Sequence, residues 1–168
     1  MQNERYNIST RMGSCRNRGS TFNAMDSETA TAINATAITA LTGDASDVQT
    51  ALASSGITTV TNDSLAVTVS GSVSVSDINT INSDSATGVV TATASETDAA
   101  TLTGLTTTST DEISITMGSS STAASDLNTI DSKTATAINA TAIKALTVDA
   151  SAVQTALASS GITTVRNG

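Results

Sequence analysis

The residues able to do chemistry in this chain are few, and their spacing limits what they can do. There is no histidine, so neither a Ser-His-acid nor a Cys-His arrangement can be assembled to activate a nucleophile. Cys15 is the only cysteine. That excludes an internal disulfide and a site built from thiolates alone, and Cys15 is read as an unpaired thiol without a role. Asp111 and Glu112 form the one adjacent acidic pair. Neighbours on a strand point to opposite faces, so they cannot close on one substrate for acid-base work. They are expected to be solvated charges that discourage edge pairing, and no catalysis is expected.

Asp44 and Asp47 in TGDASD are weak calcium candidates, because two carboxylates in one loop can contribute two oxygens. The related stretch TVDASA keeps only Asp149, and helix capping accounts for Asp44 and Asp149 without an ion. Neither an EF-hand loop nor the glycine-rich calcium nonapeptide occurs, and no cofactor is expected. Thr-x-Thr recurs at Thr29/Thr31, Thr91/Thr93 and Thr134/Thr136. The pattern resembles the ice-binding faces of β-solenoid antifreeze proteins, which implies an exposed threonine face, although LAVTVSG and EISITMG interrupt it with single threonines. Asn-x-Ser/Thr tripeptides at Asn7, Asn34, Asn62 and Asn139 arise readily by chance in such a composition.

Ala, Ser and Thr fill half of the 168 positions, with one Phe, one Tyr, no Trp and no Pro. A broad core is therefore under-supplied, and any core must be thin. The net charge is −8, yet Arg5, Arg11, Arg16 and Arg18 all lie near the start. From Thr21 onward only Lys133, Lys144 and Arg166 are basic, so that surface repels phosphates and nucleic acid is not an expected partner. No run approaches the roughly 20 apolar residues of a membrane helix, so membrane insertion is not expected. Residues 1–20 read as a disordered basic leader, and residues 21–168 as a repeat array.

The array is a repeat inside a repeat. Residues 22–60 and 127–165, displaced by 105, are identical at 32 of 39 positions. Phe22 to Leu127 and Met25 to Ile130 keep an apolar side chain and look inward, whereas Glu28 to Lys133, Thr39 to Lys144 and Asp47 to Ala152 look outward. SDINTINS at 76–83 recurs as SDLNTIDS at 125–132, with FNAMDS at 22–27 as a weaker third copy, so the phrase returns at intervals of 56 and 49, and halving these gives a unit of about 25 residues. Period-two alternation in LAVTVSG, VVTATAS, EISITMG and ATAINATA predicts strands. Between them ASDVQTALASSG has helical spacing, Asp44 or Ser46 can cap it, and Gly56 stands where a left-handed C-cap belongs. Ser95 with Asp98, and Ser74 with Asp77, stand at capping-box spacing.

The fold class expected is a repeat solenoid, one short parallel β-strand plus a short helix or turn per coil of about 23–26 residues, leucine-rich-repeat-like. The alternative is an all-β right-handed parallel β-helix. The last copy stops before the strand that follows its counterpart, so the array is expected to be an excerpt of a longer one.

The phrases SDLNTIDSKT, NATAIKALT and DASAVQTALASSGIT resemble Ser/Thr/Ala-rich repeat segments of very large bacterial, cyanobacterial-type, secreted or cell-surface proteins, over residues 22–165. That resemblance implies an extracellular or cell-surface location and a structural or adhesive repeat module without catalysis. Its partners would be neighbouring repeats of the same chain, surface glycans or other cells. The alternative function is a ligand-binding solenoid that meets glycan, ice or a mineral surface through its Thr/Ser-rich face.

Overall fold

The computed structural model describes residues 18–59, 64–84, 86–147 and 150–163. Cys15, Asn7, Asn62 and Arg5, Arg11 and Arg16 lie outside them. Among the described residues the chain forms six helices and ten strands. In chain order these are α1 (Gly19–Glu28), β1 (Ile33–Asn34), β2 (Ala40–Gly43), α2 (Ala45–Ala53), β3 (Ile57–Thr58), β4 (Leu65–Val73), α3 (Val75–Asn82) and β5 (Thr87–Ala94). There follow α4 (Ala99–Leu102), β6 (Glu112–Ser114), β7 (Ser121–Ala123), α5 (Ala124–Asp131), β8 (Ile138–Asn139), β9 (Ala145–Thr147), α6 (Ala150–Ala158) and β10 (Ile162–Thr163). α1 begins at Gly19, inside the stretch read as a leader.

One sheet holds four strands in the order β2-β4-β5-β6, and three further pairs are β1-β3, β10-β8 and β7-β9. Every one of these pairings is parallel. Partners stand from 21 residues apart (Thr91 opposite Glu112) to 26 apart (Ala40 opposite Ala66). Each pair of hydrogen-bonded strands has one helix between its members in the chain, a connection long enough for parallel pairing.

Local chemistry explains the elements. Along β4, Leu65, Val67 and Val69 are buried while Ala66, Thr68 and Ser70 are exposed, the period of a strand covered on one face. Gly71 takes φ 78, where the register against β5 slips between Thr68 and Ser72. That backbone is open to glycine at little cost. In α3, Ser74 caps the first turn by accepting from the Asp77 N–H at 3.1 Å, and Val75, Ile78 and Ile81 form the buried stripe. α2 starts in the same way at Asp44, which accepts from the Asp47 N–H at 2.9 Å. α5 turns Ala124, Leu127 and Ile130 inward. The resulting core is thin and aliphatic, with Phe22 as its one buried aromatic among the described residues.

Three local readings are corrected. ATAINATA is a strand only at Ile138–Asn139. The Asn139 Oδ1 accepts from the Thr141 hydroxyl at 2.8 Å and from its N–H at 3.3 Å, and Asn34 binds Thr36 likewise at 2.7 and 3.1 Å. This side-chain turn competes with the ladder and ends the strand. α4 begins after Asp98, whose side chain accepts from the Thr101 N–H at 2.9 Å, so Asp98 and not Ser95 is its cap. Gly56 does not have a left-handed backbone, Gly71 being the positive-φ glycine among the described residues, and a different constraint holds it.

Candidate functional site

The polar side chains between helices form one repeated arrangement. Asn23 Nδ2 donates to the Asp47 carbonyl at 3.1 Å, Asn79 Nδ2 to the Gly104 carbonyl at 2.8 Å, and Asn128 Nδ2 to the Ala152 carbonyl at 3.1 Å. Each asparagine sits at the same place in the recurring phrase, and each reaches a backbone carbonyl of the next strand-helix unit. Three residues later comes a second bond. Ser54 Oγ donates to Asp26 Oδ2 at 2.6 Å, Ser159 Oγ to Asp131 Oδ2 at 2.7 Å, and Asn82 Nδ2 donates to the Thr106 carbonyl at 3.3 Å.

Gly56 and Gly161 belong to this device. Ser54 Oγ accepts from the Gly56 N–H and Ser159 Oγ from the Gly161 N–H, both at 3.0 Å. A Cβ at either glycine would overlap the aspartate Oδ1 of the preceding unit. Close approach, not a left-handed turn, explains both glycines.

Asp111 is buried, only 3% exposed, and so is not the solvated charge expected of it. Its Oδ1 accepts from the Val90 N–H at 2.9 Å, and its Oδ2 from the Thr108 N–H at 2.8 Å and the Thr108 hydroxyl at 3.2 Å. Backbone donors satisfy the carboxylate, and charge-assisted bonds of this kind are strong. Glu112 points outward and accepts from the Thr91 hydroxyl at 3.1 Å. The two carboxylates thus face apart and do not form an acid-base pair.

The threonines singled out by sequence are divided among three places. Thr29 and Thr31 are exposed in the loop after α1, Thr91 and Thr93 lie on β5, and Thr134 and Thr136 follow α5. Thr134 is buried at 6% exposure: its hydroxyl accepts from the Ile113 N–H at 2.9 Å and donates to the Ile113 carbonyl at 2.8 Å. An exposed threonine face through all six residues therefore does not exist. A different hydroxyl array does, on the outer side of the four-stranded sheet. Thr42, Thr68 and Thr91 stand opposite one another on β2, β4 and β5, and Ser72, Thr93 and Ser114 on β4, β5 and β6. Adjacent members of such a row are about 4.8 Å apart.

Asp44 and Asp47 border a shallow depression of about 390 Å³, with Arg18, Ser20, Thr42, Gly43, Thr68 and Ser70. Asp44 is committed to capping α2. No group of three or more His, Cys, Asp or Glu side chains able to hold a metal occurs among the described residues. No helix of the described residues is long and apolar enough to cross a membrane.

Two aspartates have depressed pKa values. Asp77 is held below the usual aspartate range first by the Ser74 hydroxyl and then by the Gln49 amide, with burial opposing. Asp98 is lowered first by the Thr101 backbone N–H. Both favour the ionised form by hydrogen bonding.

The stapling residues Asn23, Asn79, Asn128, Asp26, Asn82 and Asp131 were invisible as a site, since a polar residue on a short helix reads as solvated surface. The signal that could have found them is the recurrence of N-x-x-D/N at one place in every second unit. Comparison with protein-family models, curated proteins and solved structures returns no match.

Proposed function

We propose that the chain is a structural or adhesive repeat module: a solenoid whose coils stack through parallel strands and polar staples, giving length and a repetitive surface without catalysis. The observation that carries this reading is where its polar chemistry is spent. The helix asparagines at 23, 79 and 128 and the residues three positions on, at 26, 82 and 131, bind the next unit, and the buried Asp111 binds backbone. Repeats held in this way gain stability from each neighbour interface. An extracellular or cell-surface setting is part of the proposal, and it rests on the resemblance of SDLNTIDSKT and DASAVQTALASSGIT to surface-protein repeats.

A second reading is favoured by one observation, the outward rows Thr42-Thr68-Thr91 and Ser72-Thr93-Ser114, which could meet an ordered surface such as ice or crystalline glycan. One experiment separates the two. In the triple variant Thr68→Lys, Thr93→Lys, Ser114→Lys, the first reading expects folding to be retained and the parent protein to show no thermal hysteresis and no glycan binding that the variant loses. Binding by the parent that the triple variant abolishes would establish the hydroxyl face instead.

A further inference from the structure

The internal repeat supplies its own control for which surfaces are meant to be covered. Residues 48–58 and 153–163 have the same sequence. In the first copy α2 packs between α1 and α3, and in the second α6 packs on α5. Val48 is fully buried, whereas Val153 is only partly buried. Leu52 is partly buried against the core, whereas Leu157 is 52% exposed. Gln49 Nε2 donates to Asp77 Oδ1 at 3.0 Å, whereas Gln154 is exposed. The strands differ in the same sense. β2 is paired along its outer edge by β4, Ala40 to Gly43 opposite Ala66 to Val69. Its counterpart β9 pairs with β7, and no described strand pairs its other edge.

We propose that the outer edge of β9, together with Val153, Gln154 and Leu157 of α6, is a docking face for a further strand-helix coil with the pattern of residues 64–84, its strand parallel to β9. The proposal rests on the stacked-coil reading above. The occupant's chemistry follows from the covered copy. It brings an L-x-V-x-V strand whose second residue donates its N–H to the Lys144 carbonyl, as the Ala66 N–H donates to the Thr39 carbonyl at 3.0 Å. Its helix carries an aspartate at the place of Asp77 to accept from Gln154, and apolar residues at the places of Val75 and Ile78 to cover Val153 and Leu157. A second copy of the chain does not offer this coil, because its own residues 64–84 already sit on β2 and α2.

The test appends the sequence of residues 61–126 after Val165 in a Cys15→Ser background and places a single cysteine at position 48 or 153. In the chain without the extension, Val153→Cys is expected to react with a maleimide about tenfold faster than Val48→Cys, since labelling of a covered thiol waits for local opening. With the extension, its rate falls to about that of Val48→Cys. Gln154→Ala is silent in urea unfolding of the original chain, and in the extended chain it shifts the midpoint as Gln49→Ala does. The docking proposal is overturned if Val153→Cys stays fast in the extended chain while Val48→Cys stays protected. Equal fast labelling at 48 and 153 in the original chain would defeat the stacked-coil reading itself. Protection of Val153→Cys that grows with protein concentration, with a doubled mass by light scattering, would assign the face to a second copy and overturn the proposal.

Discussion

The Asp111 carboxylate alone holds both Val90 of the preceding strand and Thr108 of its own loop. Asp111→Ala leaves the buried Val90 N–H and the part-buried Thr108 N–H without this partner, and is expected to cost about 2–3 kcal/mol in urea unfolding. Glu112→Ala, at the exposed start of β6, should stay within about 0.5 kcal/mol. The acid limb of stability is set in part by Asp77 and Asp98. Their folded pKa values lie below the ordinary value, so their contribution is complete above about pH 4 and is lost as pH falls through the folded values. The part of the melting temperature that these two groups supply should therefore hold from neutral pH down to about 4 and fall below it, with a shallower fall in Asp77→Asn combined with Asp98→Asn. The burial of Asp111 was not legible in the sequence: an acid before an alternating strand reads as solvated, and its donors come from residues 21 and 3 positions away.

At the scale of elements, alternation and capping chemistry were the legible part. LAVTVSG alternates and forms β4, and Ser74 with Asp77 opens α3. ATAINATA alternates as well, yet its asparagine captures the threonine two residues on and breaks the strand after two residues. Periodicity alone cannot distinguish these cases, because the deciding bond belongs to a side chain. The link between elements has its own test in Asp26, Ser54 and Gly56. Gly56→Ala must displace the Asp26 carboxylate and break its bond to Ser54, at an expected cost of about 1–2 kcal/mol. In a double-mutant cycle Gly56→Ala and Asp26→Ala should fall well short of additivity, since both remove the same bond. Additive effects would mean that the glycine is held by something other than the aspartate.

For the whole molecule, the small side chains and thin core have a single physical consequence. With half of its residues Ala, Ser or Thr, the chain gains less from burying large side chains than an ordinary domain. In the stacked-coil reading proposed above, parallel ladders between neighbouring units and the paired staples at three of the steps supply the remainder, so that stability would be distributed along the stack. The two copies of the 105-residue duplication pair alike, for Ile33 pairs Ile57 and Ile138 pairs Ile162 in the same parallel sense. The unit length was legible from the recurring phrase, whereas its asparagines became meaningful only once their carbonyl partners in the next unit were known.

Stacking of units in chain order is the central claim, and pulsed electron-spin distances test it most directly. Ser46, Ser76, Ala100, Ser125 and Ser151 are exposed positions on α2 to α6. Spin labels in a Cys15→Ser background, with position 46 as the fixed reference, should give distances that rise at every step from 76 to 100, 125 and 151, by up to about 10 Å per helix. A distance from 46 to 151 shorter than that from 46 to 100, or broad distributions of equal mean for all four pairs, would contradict the stack.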